Sequence, residues 1–384
     1  MDNNIDFEVT ENIVNCGVNI KVIGVGGAGG NMINHIINTC NFASNIDLLI
    51  ANTDLQDINK SKAEIKIQLG IKKTNGRGAG MIPEVGRISA EEAEEEIKKH
   101  LIGTELLFIA AGLGGGTGTG AAPVIARIAK SLGILVVSVV TIPFKYEQKV
   151  RTKVALEGLV ELKKESDCVI QIQNDKLIAI APKNLNAKQV YAFVDEVLVN
   201  AVSGIINVLL EEGDQNIDFA DVRTIMTHRG IALMGMGKAT GENAIIEAYE
   251  NAIDTPLLDT CNTNLSQAKG IIVFFKYGVN APFLQLAETM TSINSQEKED
   301  CKVICGHKLS MDLDPDTVEV TIIATGFDET REEEMKIEED KRAQEIQESQ
   351  MKQAHIQRVS GGINKLDYKN INYDEPTFIR RSKD

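Results

Sequence analysis

Short apolar runs alternate with stretches of helical periodicity through the first half of the chain. Buried strands are predicted over 19–25, 47–51, 105–109, 134–141 and 168–173, each a brief apolar run bounded by polar or turn-forming residues. Helices are predicted to open over 32–37 and 121–126 and again after the Pro143-Phe144 turn. Ser89 and Glu92 have the spacing of a capping box, and Glu91 through Glu96 load the helix there with acid. Such alternation is most economically a parallel sheet with helices on both faces. From Asn186, read as an N-cap, Val190, Phe193, Val194, Val197, Leu198, Ala201, Val202, Ile205 and Leu209 recur at helical spacing up to Glu212. Gly213 is placed to stop this helix. About 26 residues at ~1.5 Å rise make a rod of roughly 39 Å. Val199, Ile206, Val208 and Leu210 widen its apolar stripe, so it is expected to pack on more than one side, as a spine between two domains.

A polar loop over 214–221 follows, carrying Asn216, Asp218 and Asp221. Residues 231–327 read as a second α/β domain, with strands at 270–275, 302–305 and 317–325 and helical periodicity over 242–253 and 283–293. Met226, Met234 and Met236 read as adaptable core filler. The pattern then stops. Residues 331–353 are mostly Glu, Asp, Lys, Arg and Gln, too polar for a core, and read as a linker. Order-promoting residues return at Tyr373, Pro376, Phe378 and Ile379, next to Arg380-Arg381, as in a short recognition motif on a tether.

Composition narrows the function classes. A chain of 384 residues can hold two or three domains. Its net charge of −15 argues against nucleic acid as the main partner. The absence of Trp, with 4% aromatic residues, argues against a base-stacking surface. Of the six cysteines only Cys301 and Cys305 lie close together, with no second half of a zinc site, so free thiols are expected. The polar start over 1–6 is unlike a signal peptide, and no apolar run approaches the ~20 residues that cross a bilayer. A soluble, cytoplasmic protein is expected.

The candidate chemistry lies in glycine loops. Five of the seven residues from Gly114 to Gly120 are glycine, and the others are Thr117 and Thr119. Between a strand and a helix, such a loop turns backbone N–H groups inward, and the helix adds the positive end of its dipole. Gly24, Gly26 and Gly29 form GxGxxG in the same context. Asp54 follows Gly29 by 25 positions, near the spacing of a ribose-binding acid. On those features alone an NAD-dependent Rossmann-type oxidoreductase stays open. A second glycine loop is more than that fold requires, and a third runs from Gly76 to Gly80. Asn52, Thr117, Thr141 and Asn174 end successive strands, where open α/β sheets bind ligands. No GK[ST] follows, so this is not a Walker A loop. A triphosphate would be held by backbone N–H groups, Thr hydroxyls and Mg2+.

The Gly114–Gly120 stretch resembles the signature loop of the tubulin superfamily. Together with 24–31, Asn52-Thr53-Asp54, Pro143-Phe144 and the run from Asn216 through Asp218-Phe219-Ala220-Asp221 to Arg223, the chain resembles the FtsZ family of bacterial cell-division GTPases over about residues 16–327. The resemblance implies a site for GTP/GDP with Mg2+. Gly26, Gly27, Ala28, Gly29, Gly30 and Asn31 would bind phosphate beside Gly114, Gly115, Gly116, Thr117, Gly118, Thr119 and Gly120. Asn52 and Asp54 would lie near the γ-phosphate and metal, which the nucleotide phosphates carry without an assigned protein ligand. Glu147 and Arg151 would meet the ribose or phosphate side, and Asn174 the sugar. Asp195 would accept from guanine, and Tyr191, one turn earlier on the same helix face, would stack on the base.

Asn216, Asp218 and Asp221 would be catalytic. The spine keeps them from nucleotide bound at its start, so the resemblance implies head-to-tail assembly in which they enter the next subunit's site; such a contact does not close and makes filaments. It further implies a homopolymer forming a division ring at mid-cell, without nucleic acid or membrane insertion. Tyr373, Asp374, Pro376, Phe378, Ile379, Arg380 and Arg381 would dock on membrane-tethering and regulatory division proteins, although Glu375 stands where that peptide usually has an apolar residue. A tubulin-like filament for plasmid segregation and a non-hydrolysing relative are the readings that compete within the same superfamily. The fold class expected is α/β: a parallel-sheet nucleotide-binding domain, a long central helix, a second smaller α/β domain with a mixed sheet, and a disordered C-terminal tail. The divisions are a flexible 1–17, a GTP-binding domain over 18–185, the spine over 186–213, a polymerisation domain over 214–327, a charged linker over 328–368 and a partner-binding peptide over 369–384.

Overall fold

A computed structural model of the chain describes residues 18–40, 46–182, 184–210, 218–228, 231–258, 268–295, 301–311 and 313–327. Asn216, Gly213, the linker and the terminal peptide lie outside these residues. The first half runs β1 (Ile20–Val25), α1 (Gly26–Thr39), β2 (Asp47–Asn52), α2 (Leu55–Lys60), β3 (Ile65–Gln68), α3 (Ile71–Thr74) and α4 (Pro83–Glu92). It continues through α5 (Glu94–Leu101), β4 (Leu106–Gly112), α6 (Thr117–Ser131), β5 (Leu135–Ile142), α7 (Lys149–Glu165), β6 (Cys168–Gln173) and α8 (Asn174–Ile180). All five expected strands form, and β1 and β5 are buried at every position, as suits a parallel sheet covered on both faces. The order is β3-β2-β1-β4-β5-β6, all parallel, so Asn52, Gly112, Ile142 and Gln173 end at one edge.

The spine is α9 (Ala187–Leu210), 24 residues long and so about 36 Å. Asn186 caps it reciprocally: its Oδ1 accepts from Gln189 N at 3.0 Å, and its own N–H donates to Gln189 Oε1 at 2.9 Å. One apolar cluster joins Phe108 and Val139 of the first sheet, Val197, Val202 and Ile205 of α9, and Ile272, Phe274 and Ile304 beyond it. The stripe is wide because α9 is covered from two sides. The expectation that no segment reaches membrane length needs correcting, since Lys188–Asn207 is long and apolar enough by length and composition. Most of its apolar positions, from Val190 and Phe193 to Ile206, pack in this shared core.

The second half comprises α10 (Phe219–Met226), β7 (Ile231–Thr240), α11 (Ala244–Ile253), β8 (Gly270–Tyr277), α12 (Phe283–Ser295), β9 (Lys302–Leu309) and β10 (Thr317–Thr325). The sheet continues as β7-β10-β8-β9, with β10 antiparallel to both neighbours, and joins the first part where Val169 and Ile170 of β6 pair with Ile231 and Ala232 of β7. Strand β7 was not foreseen, because Gly235 and Gly237 break its apolar pattern. Their role is tertiary. Helix α11 lies so close that a Cβ on Gly237 would stand 2.0 Å from the Ala248 carbonyl oxygen. Gly237→Ala should therefore destabilise the fold by about 1–3 kcal/mol, read as a lower urea midpoint at unchanged m-value; an unchanged midpoint would show that α11 can move aside. Met226 and Met234 are buried in the shared core and Met236 packs on it, as expected of filler.

Three local expectations are corrected. Helices α1 and α6 begin at Gly26 and Thr117, ahead of the positions where apolar periodicity starts, so parts of both glycine loops are first helical turns. Ser89 is not a cap: α4 starts at Pro83, and Ser89 is buried against Gly70. Glu92 instead accepts from the backbone N–H groups of Lys72 and Lys73 at 2.8 and 3.3 Å, capping α3. Asp218 and Asp221 are not in an open loop but at the N-cap and in the first turn of α10.

Candidate functional site

Two helix N-termini meet at the carboxyl edge of the parallel strands. Neither α1 nor α6 has a side-chain cap or an acidic residue in its first turn, so the first N–H groups of both keep their binding capacity. Gly26, at φ 74°, turns the chain from β1 into α1, and a Cβ there would lie 3.1 Å from Gly118 N. Gly27, Ala28 and Asn31 are exposed in the first turns of α1, whereas Gly29 and Gly30 are buried against the strands. Gly114, at φ 94°, donates its N–H to Thr119 Oγ1 at 2.8 Å. Around Gly115 the space is open, while Gly116 backs on Ala79 and Gly120 on Pro83 of α4. The opening at Gly115, between two uncapped helix starts, suits an anion.

On the β2 side, Asn52 is 2% exposed; its Oδ1 accepts from Asp54 N, and its Nδ2 has no partner. One oxygen of Asp54 is engaged as the cap of α2, accepting from Gln56 N at 2.8 Å. Thr53 and Thr117 share a hydroxyl–hydroxyl hydrogen bond of 2.6 Å, and Gly78 N donates to Thr53 O at 3.1 Å. Thr53 and the Gly76–Gly80 loop thus line the same end, although they were not among the expected site residues. The one available signal was the crowding of glycine at 76–80 and the place of Thr53 between Asn52 and Asp54.

On the other side the signature loop meets the β5–α7 turn, since a Cβ on Gly114 would touch Pro143 and the Arg151 carbonyl. Glu147 accepts from Phe144 N and pairs with Arg151, whose Nε is buried without a partner. Asn174, 6% exposed at the start of α8, has an unpartnered Oδ1. Of seven buried, unpartnered side-chain polar atoms among the described residues, those of Asn52, Arg151 and Asn174 lie on this rim. Buried polar groups are rarely left unpaired, so the rim is shaped for a polar ligand.

Where the rim meets α9 it is aromatic. Tyr146 stacks on Phe144 with centroids 4.9 Å apart, Tyr191 meets Phe144 edge-on at 5.7 Å, and the two tyrosine hydroxyls are 3.4 Å apart. Desolvation first, then the contact with Tyr191, pushes the Tyr146 hydroxyl up to about 12. One turn beyond Tyr191, burial alone pushes the Asp195 carboxyl up to about 7. A half-exposed ring and a desolvated carboxyl at i, i+4 face the same way.

Asp218 and Asp221 are not brought to this site. β7 pairs with the amino-terminal part of β6, so α10, just before β7, lies at the strand edge opposite the loops. Asp218 Oδ1 accepts from Ala220 N at 3.2 Å, and Asp221 pairs with Lys302 at 3.7 Å.

A family model described as Tubulin/FtsZ family, GTPase domain, matches residues 19–182, and one described as FtsZ family, C-terminal domain, matches 230–328. The cell division protein FtsZ of Helicobacter pylori is 44% identical over 310 residues, covering 81% of this chain and 80% of that protein. That of Buchnera aphidicola is 43% identical over 308 residues, covering 80% and 79%. Among solved structures, an empty FtsZ dimer of M. jannaschii superposes with a TM-score of 0.75 at 38% identity, covering 80% of this chain and 88% of that one. Both halves of the structure, with the spine between them, therefore have their counterparts in the same relatives, and the chain belongs to the FtsZ family.

Proposed function

We propose that the loops at the carboxyl edge bind GTP and that Asp218 and Asp221 of the next subunit complete the hydrolytic site in a head-to-tail filament. The chain is a cell-division cytoskeletal GTPase that self-associates, as its family membership gives. What carries the residue roles is the placement of α10 at the edge opposite the loops. A carboxylate there cannot serve nucleotide held by its own subunit, but it can serve the neighbour stacked against that edge.

In the pocket, the first turns of α1 and α6 take the phosphates: Gly26 to Asn31 on one side, Gly114 to Gly120 on the other. The unpartnered groups of Asn52, Arg151 and Asn174 gain partners from phosphate and sugar. Tyr191 stacks on the base. Asp195 accepts from the guanine N1–H and exocyclic amine, a pairing adenine cannot make. The Asp54 carboxylate and Thr117 hydroxyl are hard oxygen donors that suit Mg2+, which would sit mainly on the phosphates and neutralise charge there. Asp221, with Asp218 and Asn216, orients the attacking water and draws its proton toward the carboxylate. Because the contact joins unlike surfaces it propagates, and turnover limits filament lifetime. Action at the mid-cell division site fits relatives named as cell division proteins, and the peptide from Tyr373 to Arg381 is the docking point for tethering and regulatory proteins.

Sedimentation with GTP, GDP or ATP, paired with phosphate release, tests this function. GTP should drive pelleting and be hydrolysed only above the assembly threshold; ATP should do neither. Equal pelleting with ATP, or full turnover by dilute subunits, would contradict it. Removing residues 370–384 should leave sedimentation intact and abolish capture of division partners; unchanged capture would place the docking site elsewhere.

A further inference from the structure

The edge that carries Asp218 and Asp221 also gathers cations. Lys302, the first residue of β9, places Nζ 3.7 Å from Asp221 Oδ1, with the two side chains 59% and 57% exposed. His228, two residues past α10, has its pKa lowered, first by burial and then by Lys269 and Lys302. Lys269 packs close by, since Gly326 lies between its side chain and His228. Two lysines, Lys269 and Lys302, thus accompany the two acids at this edge. The surface pair by itself adds little to the stability of a lone subunit. Its setting changes on assembly, where water is excluded and charge interactions strengthen.

A carboxylate delivered against a nucleoside triphosphate is repelled by it. We infer that Lys302 is a positioning residue for hydrolysis, its ammonium accompanying Asp221 into the neighbouring subunit's nucleotide site and offsetting that repulsion. The inference rests on the assignment of Asp221 to the next subunit's GTP. Lys302 holds the carboxylate in place from the adjoining strand, and its charge offsets that of the carboxylate where the two subunits meet. No bond is made or broken by Lys302.

The test compares Lys302→Met and Lys302→Arg with the parent in the full chain, alone and combined with Asp221→Asn. GTP binding to dilute subunits should be unchanged in both lysine variants, because the pocket is at the other strand edge. For Lys302→Met, phosphate release per pelleted subunit should fall about tenfold and the assembly threshold should rise. Lys302→Arg should restore both to within about threefold. In the Asp221→Asn background, Lys302→Met should raise the threshold no further, since the charge it escorts is gone. The inference is overturned if Lys302→Met releases phosphate at the parent's rate. It is also overturned if arginine fails to rescue, or if the threshold rises equally in both backgrounds. Failure of the underlying assignment would look different: Asp221→Asn alone would then hydrolyse GTP normally.

Discussion

Asp221→Ala should bind GTP and assemble like the parent but release phosphate some 10²–10⁴-fold more slowly, the usual range for a lost acid–base or water-orienting group. The side chain is exposed in the first turn of α10, so its removal leaves no cavity and disturbs no core contact. The pocket is formed at the opposite strand edge and should fill with unchanged affinity. Asp218 is a less clean target, because its side chain also caps α10 and its loss would cost about 1 kcal/mol of helix stability. Phosphate release measured on pelleted filaments isolates the chemical step from assembly. A variant that stays monomeric with GTP bound and turns over normally would remove Asp221 from the reaction.

The second large effect lies at the base. Asp195→Asn preserves volume but turns one acceptor into a donor facing guanine donors, and GTP affinity should fall about 10²–10³-fold, with no gain for ATP. The same carboxyl makes binding depend on pH. Burial holds it at about 7, raised from the ordinary carboxylate range, so at neutral pH it is only partly ionised. Guanine needs the ionised form. Affinity should therefore be full above about pH 7 and decline as pH falls through that value, by up to about tenfold per unit, until the lowered pKa of the complex is reached. Binding near pH 6.5 should release protons, seen as a buffer-dependent heat in calorimetry. Affinity that is flat from pH 6 to 8 in the parent would show that Asp195 does not meet the base.

Much of this architecture is legible in the residues, and what is not has a common cause. Strands buried on both faces, such as β1 and β5, announce themselves as apolar runs because nothing polar can be tolerated there. Strand β7 does not, because two of its positions are glycines demanded by α11, which folds back against it. Helix α1 starts at Gly26 and α6 carries Gly118 and Gly120 in its first turn, although glycine is a poor helix former, because close approach of the two loops outweighs propensity. In the site, the glycine loops and the polar strand ends could be found from position alone. Thr53 could not: its role depends on a hydrogen bond to Thr117, 64 residues away. Nor could the state of Asp195, an ordinary charge on an apolar helix until burial raises its pKa. The separation of Asp221 from the pocket is legible in the length of α9, but it rests as much on the short β6–β7 pairing, which no local pattern announces.

Active-site sharing between subunits is tested most directly by mixing two variants that are each defective in a different half. Asp221→Ala subunits keep the pocket, and Asp195→Ala subunits keep α10. At a GTP concentration that fills only intact pockets, each variant alone should release almost no phosphate. In an equimolar mixture, with both variants present in the pellet, turnover should reappear, approaching about a quarter of the parental rate for random head-to-tail pairing. Mixed filaments that release no more phosphate than the two variants separately would contradict a site built from two subunits.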